Sequence, residues 1–252
     1  MINIKSKGWD ELGSLFWSKG RESARPSAHE INLFLSGVKT GNALTIVGAS
    51  TKDLIEKALD LNVDVTVLDF SEVMCRELKK ILHRHCSIFC VDITDRLPDD
   101  LWFTSDLVLS DRLFNRFTEF EAKTAIRNMS LLLKNNGAIR TSVKLGYYPM
   151  DELMIKEGER SGRLQDFFDS STDTIDFRAA GDIVEACLLP HGNIPIRKLV
   201  QWYRMRGREK RYSDEDMHRI VKEFGSKLMI SSQEWFPNAP ETMLYQISMQ
   251  KK

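Results

Sequence analysis

ALTIVGASTKDLIEKALDLNVDVTVLD, residues 43–69, decides how the rest of the chain is read. ALTIV (43–47) is a continuous apolar run, the pattern of a strand covered on both faces. KDLIEKALDL (52–61) places Leu54, Ile55, Ala58 and Leu59 on one helical face. VDVTVL (63–68) returns to β-branched residues, so a second strand is predicted. Two strands joined through a helix run parallel, and a parallel sheet needs helices on both faces.

The same alternation continues outward. EVMCRELKKIL (72–82) spaces Met74, Leu78 and Ile81 as a helix stripe, and SIFCV (87–91) and DLVLS (106–110) read as strands. EFEAKTAIRNMSLLLK (119–134) aligns Ala122, Ala125, Met129 and Leu132. Asn135-Asn136-Gly137 is predicted to stop that helix before the strand AIRTSV (138–143). Ser213 and Asp216 form a capping-box pattern ahead of Met217, Ile220, Val221 and Phe224, with Gly225 as the stop. KLMISSQEW (227–235) and TMLYQISMQ (242–250) follow with only FPNAPE between them, so they pair antiparallel. The expected class is α/β: a mostly parallel sheet of seven strands ending in a hairpin.

Two segments lie outside that alternation. Ser27 and Glu30 cap a helix carrying Ile31, Leu33, Phe34 and Leu35, and ahead of it stand Trp9, Leu12, Leu15, Phe16 and Trp17. Residues 1–40 are therefore expected to form a helical cap, which either packs as extra structure or folds over the site. Residues 41–252 form the main domain, with 147–212 inserted after the fifth strand. A segment leaving a strand's C-terminal end lies near the ligand crevice, which makes the insertion a substrate-side lid.

The chain has 252 residues, 42% of them apolar and 29% charged, with formal net charge zero. That is an ordinary globular composition without a global pull toward nucleic acid or anionic membrane. No apolar run approaches the roughly 20 residues of a membrane span. MINIKSKGWDELG lacks the apolar core of a signal peptide, so a cytoplasmic location is the default expectation. Cys75, Cys86, Cys90 and Cys187 show no disulfide framework. His83, His85, Cys86 and Cys90 are close in sequence but lack zinc-motif spacing, so no metal is expected.

The chemistry starts at the first turn. In a dinucleotide site a pyrophosphate sits on the helix N-terminus against glycine backbone. Here Gly48 is followed by Ser50 and Asp53 where the second and third glycines would stand, and Asp53 would repel an anion. A nucleoside without phosphates meets no such objection, and S-adenosylmethionine is one. The turn Gly48, Ala49, Ser50 offers backbone N–H groups to its tail carboxylate. Asp69 closes the second strand, where an acid can take both ribose hydroxyls. Asp92 is placed to accept from the adenine amine, with Ile93 and Phe70 walling the base. Ser110, Asp111 and Arg112 end the fourth strand, next to the expected sulfonium.

With these residues in order, the chain resembles the class I, Rossmann-like S-adenosylmethionine-dependent methyltransferases. The resemblance rests on IVGAST, VLDFSEVM (the D-x-S-x-x-M run of Asp69 and Met74), CVDITD, DLVLSDRLF and LLLKNNGAIRTSV, and covers about residues 41–146 and 213–252. It implies a sheet ordered 3-2-1-4-5-7-6 with the last strand antiparallel. The departure is the first motif, where family members often carry G-x-G-x-G.

For the acceptor, His191 in LLPHGNIP is the candidate base, Tyr147 is a second catalytic candidate, and Tyr147 and Tyr148 are candidate pocket walls. RKLVQWYRMRGREKR (197–211) reads as a site for RNA, for a carboxylate or phosphate on a small substrate, or as a solvated helix face. Neutral net charge and the lack of an RNA-binding module favour a small-molecule substrate. The expected activity is methyl transfer to such an acceptor, possible in specialised metabolism. Attack on the aminocarboxypropyl chain, RNA methylation and a catalytically silent scaffold are the alternatives. Oligomeric state is not encoded in any pattern.

Overall fold

A computed structural model describes residues 4–19 and 25–250. Its main sheet has strands β1 (Ala43–Val47), β2 (Asp64–Asp69), β3 (Ser87–Cys90), β4 (Ser105–Asp111), β5 (Leu133–Lys144), β9 (Leu228–Phe236) and β10 (Ala239–Met249). The insertion supplies β6 (Phe168–Asp169), β7 (Thr174–Asp176) and β8 (Arg208–Lys210). The sheet order is β3-β2-β1-β4-β5-β10-β9. This is the expected 3-2-1-4-5-7-6 order, with β10 antiparallel to both β5 and β9.

Helices cover both faces, as the side-chain alternation of the strands requires. Leu44, Ile46, Val65, Val67, Leu107 and Leu109 point to α2 (Ala28–Phe34), α3 (Lys52–Asp60) and α4 (Glu72–Ile81). Val47, Leu68, Val108, Ile139 and Val143 point the other way, to α5 (Glu119–Leu132) and α10 (Asp214–Lys222). Each fully buried large apolar side chain contributes about 1.5–3 kcal/mol. The capping boxes at Ser27 and Ser213 form as predicted, and Thr118 with Glu121 builds a third at the start of α5.

Asn135-Asn136-Gly137 behaves differently from expectation. α5 ends at Leu132 and β5 starts at Leu133, so the three residues lie inside the strand. Pairing with β4 jumps from Ser105↔Leu133 to Leu107↔Ala138, which makes the stretch a bulge. Asn136 takes φ 72°, and a Cβ on Gly137 would lie 3.1 Å from the Ser105 carbonyl oxygen. The turn chemistry was read correctly, but it bends a strand rather than ending a helix.

The insertion folds around an interior of its own. It holds α6 (Pro149–Ser161), α7 (Leu164–Phe167), α8 (Asp182–Cys187) and α9 (Ile196–Met205), with a small sheet ordered β6-β7-β8. Met150, Met154, Phe167, Ile175, Phe177, Ile183 and Val184 pack together. Beside them runs a buried chain of charges. Arg211 Nε donates to Asp151 Oδ2 at 2.6 Å and its Nη2 to Oδ1 at 3.0 Å, while Nη1 reaches Glu209 at 3.1 Å. Arg206 pairs with the same Glu209 through Nε at 2.7 Å and through Nη2. The basic run of residues 197–211 is thus partly internal: Arg206, Lys210 and Arg211 are all buried.

The first helix, α1 (Ile4–Lys19), packs against α9 of the insertion and α4 of the main domain. Its Trp9, Leu12, Leu15 and Phe16 pack with Ile194, Leu199 and Trp202. Lys5 Nζ donates to both Glu121 carboxylate oxygens, at 2.7 and 2.8 Å, and to the Arg116 carbonyl at 2.9 Å. Among the described residues no helix is long and apolar enough to cross a membrane.

Candidate functional site

Asp69 holds the centre of the crevice at the strand tips. Its Oδ2 accepts from Ala49 N at 2.7 Å and its Oδ1 from Ser71 N at 2.8 Å. One carboxylate therefore braces the turn after β1 and the turn after β2. A carboxylate has about four lone-pair directions, so each oxygen keeps capacity for another donor. Only 8% of the residue is exposed. Burial pushes the Asp69 pKa up to about 6, the two backbone N–H groups oppose the rise, and the Asp10 and Asp92 carboxylates add to it.

The turn after β1 is built on Gly48, whose φ of 108° an L side chain rarely adopts. Thr51 Oγ1 donates back to Gly48 O at 2.7 Å and closes the turn. Asp53 faces Arg25, with Nη1 3.9 Å from Oδ2, so its charge is partly answered by a cation. Ser71 caps α4 by accepting from Met74 N at 3.1 Å, and Met74 is fully buried below. Asp92 accepts from Thr94 N at 2.9 Å and Thr94 Oγ1 at 2.7 Å. Ile93 beside it is buried, and Phe70 is half-buried.

The residues at the end of β4 are committed elsewhere. Ser110 is fully buried and donates to Thr141 Oγ1 at 2.8 Å. Asp111 accepts from Ser142 Oγ at 2.5 Å and from Arg112 Nη1 at 3.0 Å. Arg112, at φ 50°, gives Nη2 to Glu30 at 2.9 Å and lies 5.8 Å from the Phe236 ring centroid. These side chains fasten α2 and the terminal hairpin to the sheet. The Asp111 and Glu30 carboxylates raise the Arg112 pKa against the effect of burial.

The acceptor candidates also have partners. The Tyr147 hydroxyl donates to the Asp173 carboxylate. Burial, then that bond, push its pKa up, so it stays a neutral phenol at physiological pH. His191 stands edge-on to Phe16 of α1, with centroids 5.2 Å apart.

Sequence reading did not find what α1 brings. Asp10 Oδ1 accepts from Ser71 Oγ at 2.6 Å. Trp17 Nε1 donates to Ala49 O at 3.1 Å. A Cβ on Gly13 would sit 2.4 Å from Met74 Sδ, so the helix lies flush on the second motif. The tryptophan content gave a hint of α1's burial, but Asp10 belongs to no pattern that points to its role. Among the described residues no group of three or more His, Cys, Asp or Glu side chains is placed to hold a metal ion. A hollow of about 710 Å³, lined by Arg178, Glu185, Arg197 and Arg204, opens beside α8 and α9 and does not include Asp69 or the first turn.

No protein-family profile matches the chain, and no curated protein matches it. Solved structures do. A Rhodobacter sphaeroides protein provisionally named as a Zn-dependent alcohol dehydrogenase is 42% identical, with TM-score 0.94 over 99% of this chain and 100% of that one. The CcbJ methyltransferase of Streptomyces caelestis matches at TM-score 0.65 and 11% identity, over 98% of this chain and 99% of its own. The 1,6-didemethyltoxoflavin-N1-methyltransferase of Burkholderia thailandensis, solved with S-adenosylhomocysteine, matches at TM-score 0.59 and 9% identity, over 98% and 88%. The chain shares the class I, Rossmann-like fold of these S-adenosylmethionine-dependent methyltransferases. The residues fit that cofactor: a strand-end carboxylate with spare acceptor capacity and a turn on Gly48 stand together at the tips of β1 and β2.

Proposed function

We propose that this protein transfers the cofactor's methyl group to a small-molecule acceptor. In this reading residues 1–40 are a helical cap, residues 41–252 the cofactor-binding domain and residues 147–212 the substrate-side lid. The observation that carries it is Asp69, a buried acid that ties two strand-end turns together and still has lone pairs to offer.

Asp69 would take the ribose hydroxyls, Asp92 the adenine amine, and Phe70 and Ile93 the faces of the base. Of the turn residues Gly48, Ala49 and Ser50, Ser50 would carry the tail through its backbone N–H, because those of Gly48 and Ala49 are given to Leu68 O and Asp69 Oδ2; Met74 lies buried below. When bound, the cofactor supplies an electrophilic methyl with a neutral leaving group. The protein's own part is to hold an acceptor in line and keep water out. Tyr147, already donating to Asp173, suits orientation better than proton removal. His191, held against α1, is the base candidate. The inward Arg206, Lys210 and Arg211 favour a small acceptor over RNA, because the cations a polyanion would need are spent in internal pairs.

The test is incubation with S-adenosylmethionine and cell extract, followed by mass spectrometry. S-adenosylhomocysteine together with a product heavier by one methylene unit is expected. Methylthioadenosine as the sole thioether product would overturn methyl transfer in favour of attack on the aminocarboxypropyl chain.

A further inference from the structure

One cation just beyond β4 is only loosely paired. Arg116 follows β4 in the turn Phe114–Arg116, and α1 fixes that turn through the Lys5 bond to its carbonyl. Its guanidinium lies 5.6 Å from the Trp202 ring centroid. The nearest acid is Glu209, at 3.6 Å from Nη1, and that carboxylate already accepts from Arg206 and Arg211. Asp151, the other buried acid, is taken bidentately by Arg211. Arg116, Arg206 and Arg211 therefore share Asp151 and Glu209, and Arg116 makes no side-chain hydrogen bond among the described residues. Lys144, which caps the Leu145 and Tyr147 carbonyls and lies 5.0 Å from the Tyr148 ring, adds a further buried charge.

Holding a guanidinium against only a shared acid is costly, because the lost hydration is not fully replaced. Burial and the neighbouring Arg206 push the Arg116 pKa down, which records that cost. Yet 29% of the side chain remains reachable by solvent, so the guanidinium is open to a ligand. Trp202 belongs to an aromatic cluster: Trp9, Phe16 and Trp202 pack with centroids 4.9 to 5.5 Å apart, and Tyr203 meets Trp202 edge-on at 5.0 Å. The Trp202 indole N–H is also buried without an acceptor. A loosely paired cation beside an aromatic cluster suits an anion with an apolar body. A planar guanidinium resting on an indole is suited to a carboxylate, which it can take through two parallel bonds.

Resting on the proposed cofactor site, we infer that Arg116 binds the carboxylate of the acceptor, which is a small carboxylic acid with an apolar or aromatic body. The cofactor's own tail carboxylate is the other source of that chemistry, and the experiment separates the two. The full-length protein, saturated with S-adenosylhomocysteine, is titrated with acetate, benzoate and 3-phenylpropionate and with the matching amides, reading tryptophan fluorescence. S-adenosylhomocysteine and methylthioadenosine are titrated separately against wild type, Arg116→Gln and Arg116→Lys.

At least one carboxylate is expected to bind about tenfold or more tightly than its amide. Arg116→Gln should erase that preference, Arg116→Lys should keep part of it, and S-adenosylhomocysteine should bind all three proteins alike. No preference in wild type, or a preference that survives in Arg116→Gln, would overturn the inference. Selective loss of S-adenosylhomocysteine but not methylthioadenosine in Arg116→Gln would assign the residue to the cofactor tail instead. Failure of wild type to bind S-adenosylhomocysteine would strike the cofactor site itself, a separate result from any of these.

Discussion

Acidification from pH 7 to pH 5 will weaken S-adenosylhomocysteine binding about tenfold while removing a destabilising charge from the fold. Both effects come from Asp69. Its pKa is pushed up to about 6, so the carboxylate is mostly ionised at pH 7 and mostly protonated at pH 5. If ribose hydroxyls donate only to the ionised form, affinity falls with the ionised fraction, a factor of about ten or roughly 1.4 kcal/mol. Stability moves the other way. A group whose folded pKa is raised stabilises the native state fully below the unfolded value of 3.8, and that contribution is lost as pH rises through about 6. The gap corresponds to roughly 3 kcal/mol. Isothermal titration calorimetry at pH 5, 6 and 7 measures the first effect. Asp69→Asn supplies the control: its amide cannot ionise, and one end of it must face an N–H of Ala49 or Ser71. It should bind weakly with a flat pH profile and lose about 1–3 kcal/mol of stability. A dissociation constant unchanged between pH 7 and pH 5 in wild type, or an equal slope in Asp69→Asn, would refute the reasoning.

Asp10→Asn removes a charge that raises the Asp69 pKa, so the midpoint of the binding profile should move to lower pH in the same calorimetric series. Trp17→Phe deletes the indole bond to Ala49 O and should speed ligand dissociation roughly fivefold in stopped-flow fluorescence, the size of one net hydrogen bond of about 1 kcal/mol. Arg211→Met leaves Asp151 buried without its bidentate partner and should cost about 3–5 kcal/mol, read by chemical denaturation.

The parts of the fold that were legible in the sequence are those with local periodicity. The 3.6 and 2.0 repeats located the central strands and the helices between them, and the hairpin followed from the short FPNAPE link. Asn135-Asn136-Gly137 misled because left-handed residues serve helix ends and strand bulges alike, and only the β4 partner distinguishes them. The insertion was legible as a segment but not as a small sheet around an ion chain, since Asp151 and Arg211 meet across 60 positions. At the strand tips, the position of Asp69 could be read from its place at the end of β2. Asp111 and Arg112 share that placement, yet Glu30 and Ser142 claim their side chains, and no spacing rule foretells a partner from a distant helix. Asp10 was missed for the same reason.

The way α1 is fastened also sets the order in which the molecule can be finished. α1 leaves the ribosome ahead of every element it touches, but its anchors are far down the chain: Ser71 for Asp10, Glu121 for Lys5, and Gln201 for Glu11 at a separation of 190 residues. Contacts of that span form late, after the loops between them have closed. The nascent protein therefore carries Trp9 and Phe16 unhoused through most of synthesis, until α9 exists to receive them.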